Sequence, residues 1–71
     1  MTLTEQSPAD AAAEHAVEQA YARLVTEFGT RLRPSVVDSV VRSSRRDLSG
    51  VPATALPEMV ERLARTRLQS V

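Results

Sequence analysis

The side chains that could do chemistry in this chain are few, and guanidinium dominates them. All nine basic residues are arginine, set against nine acids and one histidine, so the formal net charge is zero. Arg42, Arg45 and Arg46 cluster on the polar side of a valine-rich segment. The ordinary meaning of such a cluster is a solvated helix face. Its two functional meanings are a surface for an acidic partner and a phosphate-binding face. Zero net charge, a single Tyr and a single Phe, and the lack of a helix-turn-helix signature weigh against nucleic acid. His15 has no cysteine or second histidine to join it, so neither a metal site nor a general base is assembled around it. Asp38 and Asp47 stand among arginines and do not make a carboxylate pair for acid–base work. Ser43 and Ser44 have no base beside them to create a nucleophile. The two glycines, Gly29 and Gly50, each punctuate a helix end and build no phosphate loop. No catalytic residue, metal or cofactor is expected, and the chain is not expected to be an enzyme.

These residues sit on three segments with helical periodicity. Residues 1–7 read as a disordered tail. Ser7, Pro8 and Asp10 then form a helix start, with a capping serine, a proline at the first helical position and an acid three residues after the cap. Ala13, Ala16, Val17, Ala20, Tyr21, Leu24, Val25 and Phe28 follow the i, i+3, i+4, i+7 pattern of an amphipathic helix. Their stripe is wider than a core-facing helix requires. Gly29 is expected as a left-handed C-cap.

The second segment has two possible starts. Ser35 and Asp38 offer a capping box, or Pro34 opens the helix and Leu32 staples onto Val37. Val36, Val37, Val40 and Val41 recur in pairs at a spacing of four, which favours helix over strand, and Leu48 extends the face. Ser44 falls within that face, where a small side chain either admits a close neighbour or marks a thin spot in the core. Thr54 is the expected cap of the third segment and Pro57 lies in its first turn. Its apolar stripe is Leu56, Met59, Val60, Leu63, Ala64, Leu68 and Val71. Glu58 with Arg62 and Glu61 with Arg65 make i, i+4 pairs. Arg67 falls inside the apolar stripe. It either snorkels to solvent or pairs with an acid on another helix, Glu27 being the first candidate. The expected fold is all-α: a small three-helix bundle over residues 8–71, with helices at about 8–28, 35–48 and 55–69.

Size and charge then suggest what the bundle is for. Seventy-one residues with seven Leu, nine Val, one Phe and no Ile or Trp make a thin core. Chains this short usually need disulfides, a metal or oligomerisation to be secure. No cysteine is present, which leaves self-association as the expected source of extra stability. Residues 1–30 carry a balance of −4 and residues 31–71 a balance of +4. An acidic first helix is therefore expected against basic later ones, within a chain or between chains. No signal peptide is legible and no apolar run approaches a membrane span, so the cytoplasm is the expected compartment and no membrane partner is expected.

The runs Leu24-Val25-Thr26-Glu27-Phe28, Leu32-Arg33-Pro34-Ser35-Val36-Val37 and Leu56-Pro57-Glu58-Met59-Val60-Glu61-Arg62-Leu63-Ala64-Arg65 resemble a family of small actinobacterial three-helix-bundle dimerisation domains. The resemblance covers residues 17–68. Its markers are a Leu-x-x-x-Phe closing the first helix, a Pro opening the second and a Leu-Pro-x-x-Val-Glu-Arg-x-Ala-Arg third helix. Members resembling this chain occur N-terminal to arsenate reductases of the tyrosine-phosphatase-like fold and as stand-alone small proteins. The resemblance implies a homodimer, with a tyrosine-phosphatase-like arsenate reductase domain as a further partner. It implies no catalytic residue here, because the reductase cysteine belongs to a separate domain. The chain is then a stand-alone member or a portion of a longer enzyme. Ala16, Tyr21, Val25, Phe28 and Arg67 are the expected interface residues, and Arg42, Arg45 and Arg46 the basic face. The competing expectation is a small DNA-binding or antitoxin-like regulator that uses those three arginines.

Overall fold

The computed structural model describes residues 8–71. It contains α1 (Pro8–Phe28), α2 (Pro34–Asp47) and α3 (Leu56–Leu68), and no strand among the described residues. Each helix packs on the other two, which makes a three-helix bundle. The expected tail over residues 1–7 and the Ser7 cap lie outside the described residues. No helix among them is long and apolar enough to cross a membrane.

The buried face of α1 is Ala13, Ala16, Val17, Ala20, Leu24 and Phe28. Its first half is mostly alanine, which brings backbones close. Its second half carries the bulk. The helix does not end in a left-handed cap, because neither glycine has positive φ. The chain turns instead through Arg31 and Leu32, whose N–H groups both donate to the Phe28 carbonyl at 2.9 Å. Gly29 is needed for a different reason: a Cβ there would lie 2.6 Å from the Val25 carbonyl oxygen.

Of the two starts open to α2, the one at Pro34 is found. Arg33 is the N-cap in extended conformation, with no side-chain cap bond, and Pro34 takes the first turn. The Arg33 carbonyl accepts from the N–H groups of Val36 and Val37 at 3.0 and 3.2 Å. Leu32 occupies the staple position and packs on the core cluster that contains Val37. The valine pairs divide their work. Val37 and Val41 are fully buried, while Val36 and Val40 are half-buried along one flank. Ser44 is also fully buried. Its hydroxyl donates to the Val40 carbonyl at 2.7 Å, a local bond that removes its need for water.

Thr54 does not cap α3. Ala55 is the N-cap and already has helical φ and ψ, with no side-chain cap bond. The preceding turn, in which the Ala55 N–H donates to the Pro52 carbonyl at 2.9 Å, runs straight into the helix. The extended conformation that a side-chain cap requires is therefore never adopted. The stripe of α3 also narrows relative to expectation. Leu56, Val60, Ala64 and Leu68 are buried, Leu63 is half-buried, Met59 is 37% exposed and Val71 is 70% exposed. The buried residues form an i+4 ridge inclined to the helix axis, so Met59 and Leu63 fall to one side of it.

Two glycine substitutions are expected to move stability in opposite directions. Gly29→Ala drives a methyl into the Val25 carbonyl and costs about 1–3 kcal/mol, at ~4–8 °C of melting temperature per kcal/mol. At Gly50 an added methyl would meet nothing within 4 Å, and φ is not positive, so Gly50→Ala gains about 0.4–1 kcal/mol by restricting the unfolded chain. At Ser44, replacement by Ala is close to neutral because the main bond lost is the local one to the Val40 carbonyl; the contact from Arg67 is at the 3.5 Å limit. Replacement by Leu overpacks the helix contact and costs about 1–3 kcal/mol. Thermal melts of the four variants check the order.

Candidate interaction surfaces

Three helices meet along three seams, and the side chains bordering each differ in kind. The α1/α3 seam is charged and internally paired. Glu27 accepts from Arg65 at 3.0 and 3.1 Å, with both carboxylate oxygens engaged. Arg65 also donates to Glu61 at 2.9 Å, and Arg23 donates to Glu61 at 3.2 Å. Glu27–Arg65 and Arg23–Glu61 share one offset of 38 residues, so α1 and α3 run parallel in a fixed register. Hydrogen bonds from Arg65 to Glu27 first, and to Glu61 second, hold its guanidinium protonated far beyond the ordinary arginine range. Side-chain exposure of 34% for Arg65, 42% for Glu27 and 19% for Glu61 keeps the energy of the network modest. Its structural role is to set register.

The α1/α2 seam holds the three arginines singled out in the sequence. Arg42, Arg45 and Arg46 line an open groove of about 440 Å³ with Glu14, Val17 and Glu18 of α1. Arg42 is engaged with its own helix, donating through Nε to both oxygens of Asp38 at 3.1 and 3.2 Å. Arg45 is half-buried and Arg46 exposed. The acidic first helix thus does face the basic second one within a single chain. Further along the same flank of α1 come Tyr21, three residues after Glu18, and Val25, four residues after Tyr21. Both are half-buried and packed on the core.

The α2/α3 seam is marked by Arg67. Its Nη2 donates to Asp47 at 2.7 Å, and its Nη1 to Ser43 at 3.3 Å and, at the limit of a hydrogen bond, to Ser44 at 3.5 Å. Arg67 is therefore paired with an acid on another helix, but the acid is Asp47 rather than Glu27. The register explains the exchange. The 38-residue offset places Glu27 opposite Arg65, and two residues further on a helix has turned by about 200°, toward α2. The flank of α2 that carries Ser43 and Asp47 also carries Val36 and Val40, at helical spacing. The flank of α3 that carries Arg67 also carries Leu63 and Met59. This seam is thus bordered by four incompletely buried apolar side chains and one clasp.

No family model, curated protein or solved structure matches the chain.

The expected interface residues separate into three groups. Ala16 is fully buried and Phe28 is 3% exposed, so both belong to the bundle's own core. Neither can serve an interface as expected, because the chain itself already covers their side chains; the Arg31 guanidinium also lies 5.2 Å above the Phe28 ring. Tyr21 and Val25 lie together on the α1/α2 flank. Arg67 lies on the opposite side of α2 from the basic groove and is not brought together with them. Periodicity alone places Met59 and Leu63 in the core stripe. Their i, i+4 placement one step aside from the buried ridge is the available sign that they border a surface. Asp47, twenty residues from Arg67, carries no local signal of its role. His15 is exposed, and among the described residues no group of three His, Cys, Asp or Glu is placed to hold a metal.

The α1/α3 network predicts a measurable coupling. A double-mutant cycle of Glu27→Gln and Arg65→Gln, read by urea unfolding, is expected to give about 0.5–1 kcal/mol at low salt and much less at 1 M salt. The same cycle on the exposed Glu58–Arg62 pair is expected to give only ~0.3 kcal/mol. Equal couplings would remove the register role assigned to Arg65.

Proposed function

We propose that this chain is a non-enzymatic self-association module acting as a homodimer, either alone or as an assembly domain for a neighbouring enzyme such as a tyrosine-phosphatase-like arsenate reductase. The observation that carries the reading is the mismatch between a thin core and its uncovered apolar flanks. Four of the twelve buried apolar residues are alanines. Meanwhile Tyr21, Val25, Val36, Val40 and Leu63 are only half-buried and Met59 is exposed. Covering such side chains contributes ~25 cal/mol per Å² of apolar surface removed from water. The resemblance of residues 17–68 to small dimerisation domains supports the same reading, and the cytoplasm suits it.

A DNA-binding or antitoxin-like role for Arg42, Arg45 and Arg46 has less support. Arg42 is held by Asp38, and Glu14 and Glu18 line the same groove, where they would repel phosphate.

Sedimentation over a concentration series is the test. A mass rising to twice that of the chain by tens of micromolar, with little dependence on salt, is expected. A strict monomer at high micromolar concentration overturns the proposal. Association with duplex DNA that weakens steeply with salt would establish the competing role instead.

A further inference from the structure

We infer that the second copy docks on the α2/α3 seam, through Val36, Val40, Met59 and Leu63 around the Arg67–Asp47 clasp. The inference rests on the self-association reading and specifies its surface. Each seam can be judged by what a two-fold contact would bury there. On the α1/α3 side, the groove is lined by Gln19, Arg23, Glu58, Glu61, Arg62 and Arg65 with Pro57. Burying it would desolvate a charged network for almost no apolar gain. On the α1/α2 side, Tyr21 and Val25 are continuous with a groove in which Arg45 and Arg46 make no ion pair within 4.0 Å among the described residues. A partner there would bury guanidinium groups, and the Glu14 and Glu18 carboxylates beside them, that no ion pair among the described residues holds together.

The α2/α3 side differs on both counts. Its charges are already matched within the chain, Arg67 to Asp47 at 2.7 Å. Covering this face leaves no orphan charge. Its apolar residues lie on two adjacent helices rather than one. Leu63 stands outside the core cluster, and Met59 is exposed, so their surface remains to be covered.

The occupant follows from charge and area. The face carries both signs in equal number, which a strongly acidic or basic partner would not match. A second copy related by a two-fold axis presents each acid with a base. The chain exposes 4679 Å² in all. One side of a three-sided bundle then offers on the order of 1,500 Å², which exceeds the ~800 Å² per partner of a standard interface.

The chain has no cysteine, so single substitutions report on proximity cleanly. Leu63→Cys and Met59→Cys, treated with a short bismaleimide, are expected to give covalent dimer, while Val25→Cys on the α1/α2 flank gives little. The double variant Met59→Glu, Leu63→Glu is expected to weaken dimerisation at least tenfold with helical circular dichroism unchanged. Covalent dimer from Val25→Cys but from neither α3 position, in a wild type that sediments as a dimer, overturns the assigned face and leaves self-association standing. A wild type that sediments as a monomer overturns both. If the double variant loses its helical signal, the cysteine pattern alone decides.

Discussion

Close approach of backbones through small side chains is the constraint on which the bundle depends. Ala13, Ala16 and Ala20 on α1, Ser44 on α2 and Ala64 on α3 are all buried. Small residues at these points let three short helices converge around a handful of larger ones, chiefly Leu24, Phe28, Leu56 and Leu68. Convergence brings each helix within reach of the other two, but alanine supplies little apolar area in return. A core built this way packs tightly and yields a small margin over chain entropy. Any larger side chain at these positions would push the helices apart and break the geometry of the seams.

Once the helices are that close, charge on their flanks fixes how they sit. The Glu27–Arg65 contact and the Arg23–Glu61 contact repeat one offset, so a slip along α1 would break both together. Arg67 does the equivalent for α2, tying the last turn of α3 to the last turn of α2. These pairs are partly exposed and contribute little energy singly. They select one arrangement among several that a smooth apolar surface would tolerate, because each wrong register leaves carboxylates and guanidiniums unmatched. Arginine suits this task better than lysine. Its planar fork engages both oxygens of Glu27 at once, which constrains direction as well as distance.

What is legible in the sequence follows the range of the interactions concerned. Helix bounds are readable because periodicity, Pro34, Pro57 and the glycines act locally, and the three helices lie within a residue of their expected ends. The pairs Glu58–Arg62 and Glu61–Arg65 are readable for the same reason. The caps are less so, since Thr54 and Gly29 both occupy suitable positions while the backbone entering or leaving the helix takes another path. Periodicity marks Met59 and Leu63 as core and gives Tyr21 and Val25 as stripe edges. It cannot say which side of a stripe is covered, because that depends on the inclination of the packed ridge. Arg67 is recognisable as an anomaly, but its partner depends on the register between helices, which emerges only when α1 and α3 meet.

The valine-rich helix shows why surface and core cannot be separated in so small a fold. α2 has three distinct faces within fourteen residues. Val37, Val41 and Ser44 enter the core; Asp38, Arg42 and Arg45 turn toward α1; Val36, Val40, Ser43 and Asp47 turn toward α3. A face of guanidinium and carboxylate rests in water at little cost. A face of valine does not, and in a larger protein another layer would cover it. Here the α3 flank that meets it adds Leu63 and Met59, so the apolar border widens across the seam and is only partly covered among the described residues. The same short helix that completes the core therefore leaves apolar surface along its α3 flank, beside a matched pair of charges, Arg67 and Asp47.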